Sequence, residues 1–237
     1  MLLFYVRHGD PIYNPDSLTP LGKRQAEAVA KRLALYGVDK IFSSTSNRAI
    51  ETAQPTCEIL KKEMTLCDFA NEHYAWQELT YTDEKGRDWL FHHSSVKPLL
   101  TEPELLKLGF NWYEHPKFKD FDYKKGFYRI QKESDKFLAE LGFEHIPFTG
   151  RYKVAKPNSE RVALFAHQGF GLAFLSAILD IPYPMFTAHF DMTHTGMTGI
   201  DFGEGNGFAV PKILTLSNDS HIYKEGLPTN YNNSKRF

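Results

Sequence analysis

Short apolar runs alternate along the chain with longer stretches in which apolar residues recur every three or four positions. The first run, residues 2–6 (LLFYV), is apolar throughout and too short for a helix, which fits a strand buried on both faces. It gives way at once to Arg7, His8 and Gly9, and Pro11 stops regular structure. Thr19 and Pro20 then mark a helix start, a hydroxyl N-cap before a proline at the first helical position. Ala26, Val29, Ala30 and Leu33 keep helical spacing, and Gly37 closes the segment. Residues 38–44 (VDKIFSS) read as a second buried strand. Residues 48–62 read as a second helix, with Ala49, Ala53, Ile59 and Leu60 apolar, and residues 64–69 as a third strand.

The pattern changes between about residues 74 and 156. Trp76, Trp89 and Trp112 all fall there among many Phe, Tyr, His and Lys residues, with little strand alternation. One helix stands out, carried by Phe127, Ile130, Phe137, Leu138 and Leu141. Residues 161–171 (RVALFAHQGFG) then restore the run-then-glycine pattern, and LAFLSAILD continues as a helix. THTGMTGIDF and FAVPKILTLSND read as late strands, the second interrupted by Pro211 and so placed near a sheet edge. The tail PTNYNNSKRF reads as loose. Strands alternating with helices predict an α/β fold, a three-layer α/β/α sandwich around a mostly parallel sheet. The segment 74–156 is expected to be an inserted, mainly helical cap over the strand ends of a single domain.

Composition narrows the class of partner more than the fold. The 237 residues carry a formal net charge of -1, with 42% hydrophobic and 24% charged residues. That balance is ordinary for a soluble globule and gives no reason to expect nucleic acid or an anionic membrane as partner. No stretch approaches the roughly 20 apolar residues of a membrane span, and the first run lacks the basic leader and cleavage site of a signal peptide. Cys57 and Cys67 make no disulfide framework, and a reducing cytoplasm is the expected setting. His92, His93 and His115 match no common metal-site spacing, so no metal and no cofactor are expected. Nothing in the pattern fixes an oligomeric state.

Chemistry concentrates at four residues. Arg7, His8, Arg48 and His167 each follow, or lie within a few residues of, the carboxyl end of an expected buried strand, where open parallel sheets place their sites. Two arginines and two histidines there suit a phosphoryl group. Guanidinium matches phosphate oxygens with a planar, permanently charged fork, and an unprotonated imidazole can attack and form a covalent intermediate.

These stretches resemble the histidine phosphatase superfamily, the group containing cofactor-dependent phosphoglycerate mutases and fructose-2,6-bisphosphatase. RHGDPIYN (residues 7–14) is similar to its R-H-G-E-x-x-x-N signature, with Asp10 at the acidic position and Asn14 in place. LTPLGKRQA (18–26) resembles L-T-x-x-G-x-x-Q-A, SSTSNRAIETA (43–53) resembles S-x-x-x-R-A-x-x-T-A, and FAHQG (165–169) resembles the second-histidine segment. The resemblance implies His8 as the nucleophile that becomes phosphohistidine. It implies Arg7, Arg48 and His167 as ligands of the transferred group, Asn14 and Gln168 as substrate-binding residues, and a small phosphorylated substrate.

It also implies a carboxylic acid that protonates the leaving oxygen. Glu72 in ANE fits the family's L-N-E placement. Glu78 stays an alternative, because the leucine and glycine that usually surround the acid are missing. Gln168 stands where many relatives have glycine, although glutamine also occurs there in the fructose-2,6-bisphosphatase branch. The acid phosphatase and phytase branch, with R-H-G-x-R-x-P and several disulfides, fits less well. The expected activity is a metal-independent phosphatase. A phosphoglycerate mutase-type transfer, or an inactive relative that only binds a phosphorylated ligand, is the alternative. Trp76, Trp89 and Trp112 are expected to pack the cap, and Lys124 and Lys125 to form a solvated face.

Overall fold

The first apolar run folds as strand β1 (Leu2–Arg7), near the middle of the main sheet of the computed structural model, which describes residues 1–229. Of the tail expected to be loose, residues 230–237 lie outside the described residues. Along the chain follow α1 (Pro20–Tyr36), β2 (Lys40–Ser44), α2 (Asn47–Leu60), β3 (Met64–Cys67) and α3 (Glu72–Glu78). After these come α4 (Tyr123–Glu140), β4 (Arg161–Ala166), α5 (Gln168–Ile178), β5 (Met197–Asp201) and β6 (Lys212–Asn218).

The sheet runs β6-β5-β1-β4-β2-β3. β1, β4, β2 and β3 are mutually parallel, while β5 and β6 run antiparallel to their neighbours. Pro211 ends a short strand (Phe208–Ala209) just before β6, which occupies the sheet edge, as the proline leads one to expect. Helix α1 starts as its sequence demands. The Thr19 hydroxyl accepts from Gly22 N, Pro20 follows, and Gly37 closes the helix in the left-handed region at φ 72°.

Side chains on alternate positions of β1 serve two layers. Phe4 and Val6 pack with Val29 and Leu33 of α1, Ala53 of α2, and Ala163 and Phe165 of β4. Leu3 and Tyr5 face the opposite core with Phe170 and Phe174 of α5 and Phe137 and Leu138 of α4. The sandwich expected from the alternation is therefore present.

Residues 74–156 are more varied than a helical insertion. They include the hairpin of Thr80–Asp83 with Gly86–Trp89, and another of Phe143–Ile146 with Arg151–Val154. Helix α4 lies against the sheet, with the Phe137 ring 5.1 Å from that of Phe42 in β2. Trp112 is buried and stacks on Tyr183, with ring centroids 5.3 Å apart. Among the described residues no helix is long and apolar enough to cross a membrane.

Candidate active site

Register alone brings the two histidines together. β1 and β4 are parallel and pair Arg7 with Ala166, so the next residue on each strand, His8 and His167, emerges at the same level. Their ring centroids are 5.2 Å apart. The adjoining loop needs glycine at two points. A Cβ on Gly9 would lie 2.6 Å from Gly22 O, and one on Gly22 would lie 2.2 Å from Asp10 O. The turn after β1 is therefore pressed against the first turn of α1. Gly9 N also donates to Thr52 Oγ1 at 3.0 Å, which ties this turn to α2.

His8 is buried, and its Nδ1 lies 2.7 Å from Gly9 O. A carbonyl can only accept, so Nδ1 carries the proton and Nε2 keeps its lone pair. Burial, followed by the neighbouring His167, Arg7 and Arg48, holds the imidazole pKa well below its ordinary value. The ring is thus neutral at physiological pH.

His167 sits at the N-cap of α5, fully buried, its backbone clasped by Tyr5, whose hydroxyl donates to His167 O and accepts from His167 N. Its Nε2 shares a hydrogen bond with Ser44 Oγ at 2.8 Å, and its Nδ1 has no partner among the described residues. Burial and the two arginines lower its pKa as well.

Arg7 is fully buried, donates from Nη1 to Met192 O, and bonds from Nη2 to His194 Nε2 at 2.9 Å. Guanidinium has no acceptor, so His194 accepts at Nε2 and carries its proton on Nδ1, 3.5 Å from Asp10 Oδ1. His194 is a site residue that the sequence did not single out. Arg48, on the first turn of α2, pairs with Asp16 at 2.7 Å and lies over the Tyr13 ring, and its buried Nε has no partner among the described residues.

The two glutamates separate cleanly. Glu72 opens α3, and its two oxygens accept from Gly169 N and Phe170 N, each at 3.0 Å, in the first turn of α5. Burial raises its pKa, despite those bonds and the nearby arginines. Glu78 is held by Arg129 through three hydrogen bonds of 2.7–2.8 Å and does not line the cavity. Gln168 is buried, lines the cavity and donates to Asp191 Oδ1. Asn14 lies exposed at the tip of a small hairpin, away from the cavity wall. Its neighbour Asp16 is the residue that reaches Arg48.

The cavity measures about 980 Å³ and is lined by Arg7, His8, Arg48, Glu72, Gln168 and His194 at the strand ends. The segment 74–156 supplies its other wall, including Trp76, Asp88, Trp89 and His92. Two of the tryptophans expected only to pack therefore also face this space. Gly169 joins the halves, since a Cβ there would lie 2.4 Å from the Trp89 ring. His93 instead pairs with Asp83 at 3.2 Å, and His115 accepts from Lys117 N. Lys124 lies over the Tyr113 ring, and neither it nor Lys125 lines the cavity.

Residues 3–105 match the family model of the histidine phosphatase superfamily (branch 1). Comparison with curated proteins finds no match. Among solved structures, the chain resembles Entamoeba histolytica phosphoserine phosphatase in complex with 3-phosphoglyceric acid. The TM-score is 0.59 at 20% identity, covering 93% of this chain and 98% of that one. A mutant of the same enzyme in complex with phosphoserine gives a TM-score of 0.59 at 19% identity over 93% and 98%. Mycobacterial glucosyl-3-phosphoglycerate phosphatase gives 0.58 at 19% identity over 91% and 98%. The resemblance read from the motifs is thus borne out: residues 3–105 match the family model of the histidine phosphatase superfamily (branch 1), and nearly the whole chain shares the fold of the two phosphatases above.

Proposed function

We propose that the protein hydrolyses phosphate monoesters of small molecules through a covalent phosphohistidine on His8. The observation that carries this reading is the state of His8, a buried neutral imidazole whose proton is fixed on Nδ1 by Gly9 O. Nε2 attacks phosphorus while the bond to the leaving oxygen breaks, and protonated Glu72 gives that oxygen its proton. Ionised Glu72 then takes a proton from water, whose oxygen displaces Nε2 from phosphorus. Inorganic phosphate leaves, and the His8 lone pair is restored.

Arg7 and Arg48 neutralise the charge on the transferred oxygens. Arg48 Nε and His167 Nδ1, buried without partners among the described residues, are further donors for them. Burial shifts the Glu72 pKa upward, the direction a general acid needs. The wall from segment 74–156 selects the organic group within one domain. Phosphoserine and 3-phosphoglycerate, bound in the similar structures, are both small phosphate monoesters, the class this reading assigns.

Brief reaction with a labelled phosphate monoester and rapid quenching should trap an acid-labile label that is absent from His8→Ala. Turnover should survive chelator, because two guanidinium groups supply the positive charge that a cation would otherwise provide. Loss of activity in chelator, restored by a divalent ion, would overturn the metal-independent mechanism. Isomerisation of 3-phosphoglycerate faster than phosphate release would make the enzyme a mutase.

A further inference from the structure

The cavity has an anion-binding floor and a wall of different character, and the carboxylates around it are not equivalent. Asp10 accepts from the Thr19 hydroxyl at 2.7 Å, Asp16 holds Arg48 and Asn47 N, and Glu72 holds two backbone N–H groups. Among the described residues Asp88 shows only the bond from the adjacent Trp89 N to its Oδ1 at 2.7 Å, and no ion pair. It lies at the end of the Gly86–Trp89 strand, half-buried, with Trp76 and Trp89 on the same wall. A carboxylate with no cation partner among the described residues favours a positively charged guest and repels a second carboxylate.

We propose that Asp88 is a specificity-determining residue that receives an ammonium group, so that the preferred substrates are phosphate monoesters of amino alcohols. His92, the imidazole on the same wall, does not offset this preference. Burial lowers its pKa, which leaves it neutral and gives a substrate carboxylate no fixed positive charge there. The phosphate occupies the arginine floor, while the ammonium end meets Asp88. This inference rests on the proposed phosphatase reading, and the test keeps the two apart.

Binding is measured by calorimetry in the His8→Ala background, where no turnover occurs, with phosphoethanolamine, glycerol 2-phosphate and 3-phosphoglycerate. The expected order is phosphoethanolamine tightest and 3-phosphoglycerate weakest. Adding Asp88→Asn, which keeps the shape and removes the charge, should weaken phosphoethanolamine roughly tenfold relative to glycerol 2-phosphate. In the otherwise native protein, the same substitution should raise KM for phosphoethanolamine relative to glycerol 2-phosphate, with the kcat ratio unchanged. Equal weakening of all three ligands, or tighter binding of 3-phosphoglycerate by the His8→Ala protein, would overturn the role of Asp88. Selective binding without any phosphate release by the native protein would instead overturn the phosphatase reading and leave the ammonium site standing.

Discussion

His8 and His167 are buried at the strand ends among two arginines, whereas His145 is buried at the side of the molecule between two carboxylates. Its Nδ1 lies 2.9 Å from Asp135 and its Nε2 lies 3.1 Å from Asp180, with the ring stacked on Tyr152. Burial alone would lower the His145 pKa, but the two aspartates overcome it and push it up to about 9. The aspartates thus keep on His145 a proton that burial would otherwise remove, whereas at His8 and His167 burial, helped by the arginines, leaves the rings neutral. Whether a buried imidazole stays neutral or carries charge depends on whether carboxylates outweigh its desolvation. At the cavity that choice leaves a lone pair available for attack, and at His145 it leaves a cation that joins the Phe143–Ile146 strand to α4 and to the segment after α5.

The sharpest break in this comparison comes from removing one ring from each place. His8→Ala should lower phosphate release by roughly 10⁴-fold or more, because no other group can accept the phosphoryl. His145→Gln should leave turnover within about twofold, since the catalytic groups are elsewhere. Parallel assays of the two variants test this directly. Next in size, Glu72→Gln should slow release from alkyl phosphates by roughly a thousandfold. Labelling of His8 by p-nitrophenyl phosphate should suffer far less, because that leaving group needs no proton. Phosphohistidine should accumulate in this variant, for want of a base to activate water. The same selective pattern from Glu78→Gln would transfer the role to that residue.

Arg48→Lys should cost about a hundredfold in kcat/KM, near 3 kcal/mol, because an ammonium cannot reproduce the guanidinium fork. Steady-state kinetics of the purified variant give that number. The smallest effect is on folding. His145→Gln should lose about 2 kcal/mol in denaturant titration at pH 7, since Asp180 is then buried without its cation.

The pH dependence carries opposite signs at the two places. The folded pKa of His145 lies above the unfolded value, so its contribution is complete below pH 6.5 and is lost as pH rises through about 9. His8 and His167 are depressed, so their contribution is lost as pH falls below 6.5, where the unfolded chain takes up protons and the folded one does not. Stability curves of native protein and His145→Gln should therefore diverge on acidification below pH 9 and run together well above it, while both weaken in acid.

Local signals made much of this legible in the sequence. Thr19-Pro20 and Gly37 bound α1 because caps act within a few residues, and Arg7 and His8 are placed by the strand that carries them. His167 joins them through strand register, which follows from parallel pairing. His194 has no such marker. It is a lone histidine in a loop, brought to Arg7 by the antiparallel return of β5 and by Thr195, held in the left-handed region at φ 54°. The choice between Glu72 and Glu78 turns on a helix the sequence did not delimit. Six residues along α3 rotate a side chain by about 240°, so one helix cannot turn both toward the same cavity. The Thr80–Asp83 and Gly86–Trp89 hairpin escaped notice because its strands are short and largely polar, so alternation has little length in which to show.

Gly169 has a mechanical consequence of its own. It is the seat on which the Trp89 ring rests, at the head of the helix that bears His167 and receives Glu72. A single methyl there would act as a wedge, driving the tryptophan off its seat while leaving every phosphate-handling side chain chemically intact. On the proposed reading, the half of the molecule that would read the phosphate and the half that would read the rest of the substrate are keyed together at Gly169, which has no Cβ. On that reading, a shift in substrate preference can begin at the helix head without any substitution among the residues of the cavity wall.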